Sequence, residues 1–216
     1  MADISVMHYS SYDCGDPENK LFGVRRRGAA SAFAAAYPAD DSIVISACER
    51  AVNVSTNSFV QRPSMRDEAV EAITGFVNEG IYGMQAPGKT VFCSTAALYI
   101  FRKQARWAVS GNAKIYYFSD GKLQSVSAGN EDVILGKRLN LHCKYEPPFE
   151  LQKGSNSFLI ISAADKIDPD ISVLERELAS SSDAAEWVEK ISSELKKQRC
   201  TALAVILPKK KFPLFG

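Results

Sequence analysis

Two carboxylates and a few arginines are the residues of this chain best suited to bind a ligand. Glu49 and Asp165 each follow a short apolar run, SIVISAC and FLIISAA, where a strand could end. Carboxylate oxygens are the ligands that hard cations such as Mg²⁺ and Mn²⁺ prefer, so these two acids could share a metal site. Guanidinium groups bind phosphate oxygens through paired hydrogen bonds, which makes Arg27 and Arg199 candidates for holding a phosphoryl group.

Each of these groups also has a plain structural interpretation. Glu49 could begin a helix, where an acid suits the helix dipole, and Asp165 could lie in a solvated turn. The run 25–27 is then an exposed basic loop. A nucleophilic Cys48 would need a base or a cation beside it to form a thiolate, and only His8 and His142 carry an imidazole, so a buried structural cysteine is favoured.

Composition limits the class of protein. With 216 residues, of which 46% are hydrophobic, the chain can form one globular domain with a sizeable core, and we expect it to span 1–207 with a short basic tail at 208–216. The net charge of +1 implies no strong attraction to nucleic acid or to an anionic membrane. The five cysteines show no CxxC spacing, and neither a signal peptide nor a membrane-spanning run is evident, so a cytoplasmic location is expected.

Periodicity predicts mostly strands. Asp120 and Gly121 lie between two alternating runs, and such a pair predicts a two-residue hairpin, because glycine tolerates the positive φ that the turn requires. The predicted strands lie near 3–9, 42–47, 91–101, 105–110, 113–119, 122–127, 157–162 and 201–207.

Three helices are predicted. The first follows Ser64, which with Asp67 resembles a capping box, and Gly80 is placed to end it. The second begins near Asp170, and the third follows Ser182 or Asp183. The apolar faces would be Ala69, Val70, Ile73, Phe76 and Val77 for the first helix, Ile171, Leu174 and Leu178 for the second, and Ala184, Trp187, Val188, Ile191 and Leu195 for the third. One-sided helices and alternating strands favour a β-sandwich covered by helices.

Four stretches, in order, resemble the metal-dependent (type 2C, PPM) serine/threonine phosphatases. Residues 93–96 (CSTA) resemble the family's Gly-Ser-Thr-Ala, and 111–114 (GNAK) resemble its Gly-Asp-Ser-Arg turn. Residues 158–168 resemble a strand that ends in Ser-Asp-Gly, and 183–207 resemble the last helix, an Asp-Asn pair and the closing strand. The resemblance implies an α+β fold, a four-layer α/β/β/α sandwich with two antiparallel sheets flanked by helices.

The same resemblance implies that the acids of a two-cation site are missing. In this family two hard cations activate a water and neutralise the phosphoryl oxygens. No acidic residue occurs between Gly28 and Ala39, where the family has a Glu-Asp pair. The positions that correspond to the family's metal site are Ser31, Ala32, Ala47, Cys48, Asn112, Ala164, Arg199 and Cys200.

The sequence therefore predicts an inactive member of this class, with no catalytic residue and no cofactor. Its partner would be another protein, such as a kinase, a phosphatase substrate or an assembly partner, with no nucleic acid and no membrane. One alternative is an active serine/threonine phosphatase that holds Mn²⁺ or Mg²⁺ through Glu49 and Asp165. Another is a non-hydrolysing phosphoprotein reader that uses Arg27 and Arg199.

Overall fold

A computed structural model describes residues 4–11, 21–38, 45–87, 91–130, 132–139, 141 and 143–208. The strands are β1 Ser5–Ser10, β2 Phe22–Arg27, β3 Ala30–Pro38, β4 Cys93–Phe101, β5 Gln104–Ser110, β6 Ala113–Ser119, β7 Lys122–Ala128, β8 Lys144–Tyr145, β9 Phe149–Glu150, β10 Asn156–Ala163 and β11 Cys200–Leu207. The helices are α1 Ile45–Gln61, α2 Asp67–Tyr82, α3 Ile171–Ala179 and α4 Ala184–Lys196.

Two antiparallel sheets pack face to face between two layers of helices. The first sheet has the order β1-β11-β10-β6-β7, and the second has the order β2-β3-β4-β5-β8, with β9 also paired to β5. Helices α1 and α2 cover the second sheet, and α3 and α4 cover the first. The predicted four-layer α/β/β/α sandwich is thus confirmed.

The alternation of β10 shows how one strand serves two cores. Phe158 and Ile160 point between the sheets, where an apolar cluster includes Leu98 of the second sheet. Leu159 and Ile161 point outward to the cluster under α3 and α4. Since both faces are buried, the four central residues 158–161 are all apolar, which makes the strand easy to recognise in the sequence.

The two C-terminal helices begin where their caps predict. The Asp170 carboxylate accepts hydrogen bonds from the backbone N–H groups of Ser172 and Val173, and Asp183 accepts one from Glu186. The five residues expected on the inner face of α4 are all buried. A side-chain cap and a periodic apolar face were enough to place both helices.

The strand predicted at 42–47 is wrong over its described part, because α1 begins at Ile45, while 42–44 lie outside the described residues. The strands β2 and β3, which the sequence analysis did not predict, form a hairpin before α1. Alanine has a low β propensity, and β3 is largely alanine. Its small side chains nevertheless suit a strand that is buried on both faces, between the other sheet and α1.

Details of α2 also differ from the prediction. No side chain caps this helix at its N-cap, Arg66, so the capping box expected at Ser64 does not form. The helix continues through Gly80 to Tyr82 and ends at Gly83. Phe76, expected on the buried face, is 61% exposed. The face that packs inward instead uses the polar residues Thr74 and Asn78 beside the apolar ones.

The sandwich has two ends, which we name after an asparagine at each. At the Asn112 end, the turn Gly111–Asn112 joins β5 to β6, and β3 finishes while β4 and β11 begin. At the Asn156 end, β10 begins beside the Asp120–Gly121 turn, where both φ angles are positive, as predicted for a two-residue hairpin. Glycine-containing turns and strand ends thus gather at both ends.

Candidate functional site

The Asn112 end collects most of the positions that the sequence singled out. The Asn112 side-chain amide donates to the carbonyl oxygen of Ala164 at 2.7 Å. The Asn112 carbonyl accepts from the Ala163 N–H at 2.8 Å, and the Asn112 N–H donates to Ser94 Oγ at 3.0 Å. One residue therefore ties β4 of the second sheet to β10 of the first.

Ala164 lies at the centre of this end and is only 7% exposed. Its N–H donates to the carbonyl oxygen of Arg199 at 2.9 Å, which joins the loop after β10 to the start of β11. Ala164 belongs to the buried apolar cluster that also holds Ala47 and Cys48 of α1. Cys48 neighbours Cys93 at the start of β4, so it also lies at this end, and these positions offer methyl groups and a thiol in place of carboxylates.

Arg199 and Asp165 form the charged rim of this end. The Arg199 Nε and an Asp165 oxygen are 3.8 Å apart, and the two side chains are 63% and 77% exposed. Such an exposed pair is screened by water and contributes little to stability. The carboxylate of Asp165 faces a guanidinium group, which would repel a divalent cation.

The thiols of Cys48, Cys93 and Cys200 at this end are buried, and a hydrogen bond with Cys48 lowers the pKa of Cys93. Burial raises the pKa of Cys48 well above its usual value, and its neighbours Cys93 and Glu49 raise it further. Burial likewise raises the pKa of Cys200 to about 12. His8 stacks on Phe22 with ring centroids 3.8 Å apart, and His142 lies outside the described residues. The buried structural cysteine is therefore the better interpretation of Cys48.

Three of the predicted positions lie at the other end. Arg27 pairs with Ala30 in the β2–β3 hairpin, whereas Pro38, at the other terminus of β3, pairs with Cys93 at the Asn112 end. The nine-residue β3 is roughly 30 Å long. Ser31 and Ala32 lie within β3 near Arg27, and both are buried.

This arrangement corrects the expected phosphate site. Arg27 and Arg199 lie at opposite ends of the sandwich, so they cannot hold one phosphoryl group together. The chain direction in the β2–β3 hairpin, which the sequence analysis did not recognise, is the reason. The Arg25 guanidinium donates to the Asn57 side chain at 3.1 Å, so part of the basic run packs on α1.

No sequence pattern indicated the hydroxyl groups that gather at the Asn112 end. Ser10 Oγ and Thr201 Oγ1 are 3.1 Å apart, and Ser11 Oγ lies 3.3 Å from the Tyr37 hydroxyl. Ser11 Oγ also accepts from the Cys200 N–H at 2.8 Å. Tyr37 lies at this end because the strand that ends here is β3. The segment before Cys48, which was predicted to be a strand, is not that strand. Gly28, which has a φ of +57°, is the turn signal that would have revealed the hairpin.

The described residues of this end do not fit a hard divalent cation. Mg²⁺ and Mn²⁺ require several oxygen ligands, mainly carboxylates. Ala164 has no ligand atom, and the Asn112 amide is engaged in a hydrogen bond. In the ranges that the structure describes, no three or more His, Cys, Asp or Glu residues are grouped to hold a metal ion, and this includes Glu49 and Asp165.

A cavity lies at the Asn156 end. It has a volume of about 560 Å³, and its lining includes Asp120, Ser155, Leu178 and Ser182. Of the positions singled out in the sequence for chemistry, none lines it.

No described helix has both the length and the apolar character that crossing a bilayer requires.

Comparison with solved structures places the fold in a known class. Stp1, a serine/threonine phosphatase from Staphylococcus aureus, matches with a TM-score of 0.75 at 10% identity, covering 96% of each chain. The catalytic domain of the serine/threonine phosphatase PstP, in complex with two manganese ions, matches with a TM-score of 0.69 at 12% identity, over 95% of this chain and 100% of that one. The PPM Ser-Thr phosphatase MsPP from Mycobacterium smegmatis matches with a TM-score of 0.66 at 16% identity, over 94% and 97%.

The chain therefore has the fold of the PPM (type 2C) serine/threonine phosphatases. No protein-family model matches the sequence, and no curated protein matches it either. At identities of 10 to 16%, the likeness in these three structures establishes the fold alone.

Proposed function

We propose that this protein is a catalytically inactive module with a type 2C phosphatase fold, which acts by binding another protein as a regulatory or scaffolding subunit. The observation that supports the proposal most strongly is the burial of the Ala164 side chain. A methyl group, almost fully buried among apolar neighbours, occupies the position where the family resemblance implies a metal-binding aspartate.

The charges at the Asn112 end support the same conclusion. Two-cation hydrolysis requires carboxylates that offset the charge of the metals. Here the rim carries Arg199, whose positive charge opposes a cation placed beside it, although water screens part of that repulsion. Among the described residues, the carboxylate beside it is Asp165, which already faces that guanidinium group.

Several polar groups in the described part of this end are already bonded within the molecule, although the buried hydroxyls of Ser110, Ser127 and Ser162 have no described partner. Asn112, Ser94 and Ser11 bind the backbone of neighbouring strands at this end. Polar groups that are satisfied internally need no external ligand to offset their burial. A fold that is stable without metal is therefore expected, and addition of EDTA should leave the melting temperature unchanged.

The decisive experiment measures hydrolysis by the purified full chain. Para-nitrophenyl phosphate and a phosphoserine peptide are incubated with the protein, with and without millimolar Mn²⁺. We expect no turnover above the protein-free control in either case. Isothermal titration with Mn²⁺ tests the whole chain, including the acidic residues outside the described ranges, such as Asp40 and Asp41, which follow β3 in the sequence.

The active alternative predicts a different result. Metal-dependent turnover that is lost in Glu49→Ala or Asp165→Ala would establish a shifted metal site and refute the inert module. The exposed Asp183→Ala variant, at the N-terminus of α4, controls for a general effect of removing one acid.

Protein binding needs its own test. Affinity purification of the tagged chain from its native source, followed by mass spectrometry, should recover a stoichiometric protein partner that survives 0.15 M salt. A chain that stays monomeric and unaccompanied through gel filtration of the native extract would contradict the binding role.

A further inference from the structure

A small cavity at the Asn112 end has a positively charged lining. Its volume is about 110 Å³, and it lies between the turn before β6, the end of β7 and the loop after β10. Among the described residues that line it, Lys114 and Lys166 are the charged ones, and none is a carboxylate. The cavity is thus chemically distinct from the one at the Asn156 end, whose charged lining residue is Asp120.

Ordered backbone holds both lysines. Lys114 lies in β6 and is paired on one side with Ile161 of β10 and on the other with Ala128 of β7. Lys166 precedes Ile167, whose side chain is buried in the cluster under α3 and α4. Side chains that project from such fixed points lose less freedom on binding than those on a loose loop.

Neither lysine side chain has a partner in the part of the chain that the structure describes. Within the described ranges, no hydrogen bond or ion pair joins the ammonium group of Lys114 or Lys166 to another residue. Asp165, the residue before Lys166, instead faces Arg199. Asp168 is exposed, and its charge acts on Tyr116. Two ammonium groups that have no described partner therefore lie beside one cavity, where they can bind an anion from outside.

The size of the cavity limits the anion. One water molecule takes up about 30 Å³ in the liquid, so the cavity has room for about three or four. This volume accommodates a single phosphoryl group. Ammonium groups form strong, charge-assisted hydrogen bonds with phosphate oxygens.

We propose that Lys114 and Lys166 bind the phosphoryl group of a phosphorylated protein, without hydrolysing it. The inference rests on the proposed binding role and names the ligand chemistry for it. It replaces the pairing of Arg27 with Arg199, which the fold separates, by two cations that line one cavity.

The test titrates the full chain with a phosphoserine peptide, with the same peptide lacking phosphate, and with inorganic phosphate, at 0.05 M and 0.15 M salt. We expect the phosphopeptide to bind at least tenfold more tightly than the plain peptide. Lys114→Gln and Lys166→Glu should each weaken phosphopeptide binding at least fivefold, with circular dichroism confirming the fold. Lys122→Gln, an exposed lysine at the start of β7 and at the Asn156 end, is the matched control and should change nothing.

Three outcomes would overturn the proposal. Equal affinity for the two peptides excludes recognition of the phosphoryl group. An equal effect of Lys122→Gln reduces the binding to general surface charge. Inorganic phosphate that binds as tightly as the phosphopeptide makes the ligand a free anion. None of these results bears on turnover with Mn²⁺, so failure of this inference and failure of the inert-module proposal remain distinguishable.

Discussion

The two ends of the sandwich are each held by an asparagine, but the two residues are used differently. At one end, Asn156 accepts from the Tyr117 hydroxyl at 2.7 Å and from the Gln152 N–H at 3.0 Å. Its amide group donates to the carbonyl oxygens of Gln152 and Gly154. At the other end, the Asn112 side chain makes a single described hydrogen bond, to Ala164.

The two ends also differ in the volume of the cavity that each contains. Beside Asn156, a cavity of about 560 Å³ remains open. At the Asn112 end, methyl groups fill the position of the expected metal ligand, and a cavity of about 110 Å³ lies next to it. The comparison shows that the described part of the Asn112 end is held by apolar packing together with hydrogen bonds from a few side chains to the backbone.

Placing a carboxylate at each end should give the largest difference in stability between the two ends. Ala164→Asp should lower the free energy of unfolding by about 4 kcal/mol at pH 7, because it buries a charge without a partner. Ala179→Asp, at an exposed position beside the large cavity, should change it by less than about 0.5 kcal/mol. Urea denaturation of both variants measures the difference.

The pH dependence of that loss has a definite sign. Burial raises the pKa of the new carboxyl group in the folded state above its unfolded value. Between those two values the folded state binds more protons, so its stability falls as the pH rises and recovers as the pH is lowered. An Ala164→Asp variant that is as stable as the parent at pH 7, or one that Mn²⁺ restores, would contradict the apolar closure.

Adding a methyl group to a turn glycine at each end should have the next largest effect. Gly111 has a φ of +62°, and a Cβ there would lie 2.6 Å from Ser94 Oγ. Gly28 has a φ of +57° but no atom within 4 Å of such a Cβ. Gly111→Ala should therefore cost about 3 kcal/mol from strain and crowding, and Gly28→Ala about 1 kcal/mol from strain alone. Thermal unfolding compares the two, and equal losses would show that Ser94 moves aside freely.

Removing each asparagine side chain should give a smaller difference in the free energy of unfolding between the two ends. Asn156→Ala leaves the buried Tyr117 hydroxyl and backbone groups near Gln152 without partners, so we expect a loss of about 2 kcal/mol. Asn112→Ala removes one side-chain bond, for about 1 kcal/mol. Hydrogen exchange should also rise locally, at the start of β10 in the first variant and after Ala163 in the second. A larger loss for Asn112→Ala would reverse the proposed order.

The smallest effect is expected at the charged rim. Arg199→Ala removes an exposed ion pair with Asp165 and should change the free energy of unfolding by less than about 0.5 kcal/mol. Chemical denaturation at 0.05 M and 0.5 M salt checks this, because a surface pair weakens with salt. A loss above 1 kcal/mol would mean that the guanidinium group anchors the loop after β10.

Much of the first sheet and its helices could be predicted from the sequence. The caps Asp170 and Asp183, the apolar face of α4 and the Asp120–Gly121 turn are local signals, and each appears as predicted. Strands such as β6 and β10 are marked by β-branched and aromatic runs. These features depend on a few neighbouring residues, so one chain is sufficient to recognise them.

The N-terminal half was harder because its signals are not local. The segment before Cys48 alternates like a strand yet α1 begins within it, and the alanines of β3 form a strand because packing from both sides favours small side chains. Phe76 faces solvent on α2, although its spacing places it near the apolar face. Tertiary packing outweighed a weak local preference in these places.

The sequence by itself determined the types of side chain available, including an alanine at 164, an arginine at 199 and few acids around them. Only the tertiary structure decided which of them meet. It brought Asn112, Ala164 and Arg199 to one end, sent Arg27 to the other, and placed Lys114 and Lys166 beside a common cavity. The reason is that contact between distant residues depends on strand direction and register, and one missed hairpin moves a side chain by the length of a strand.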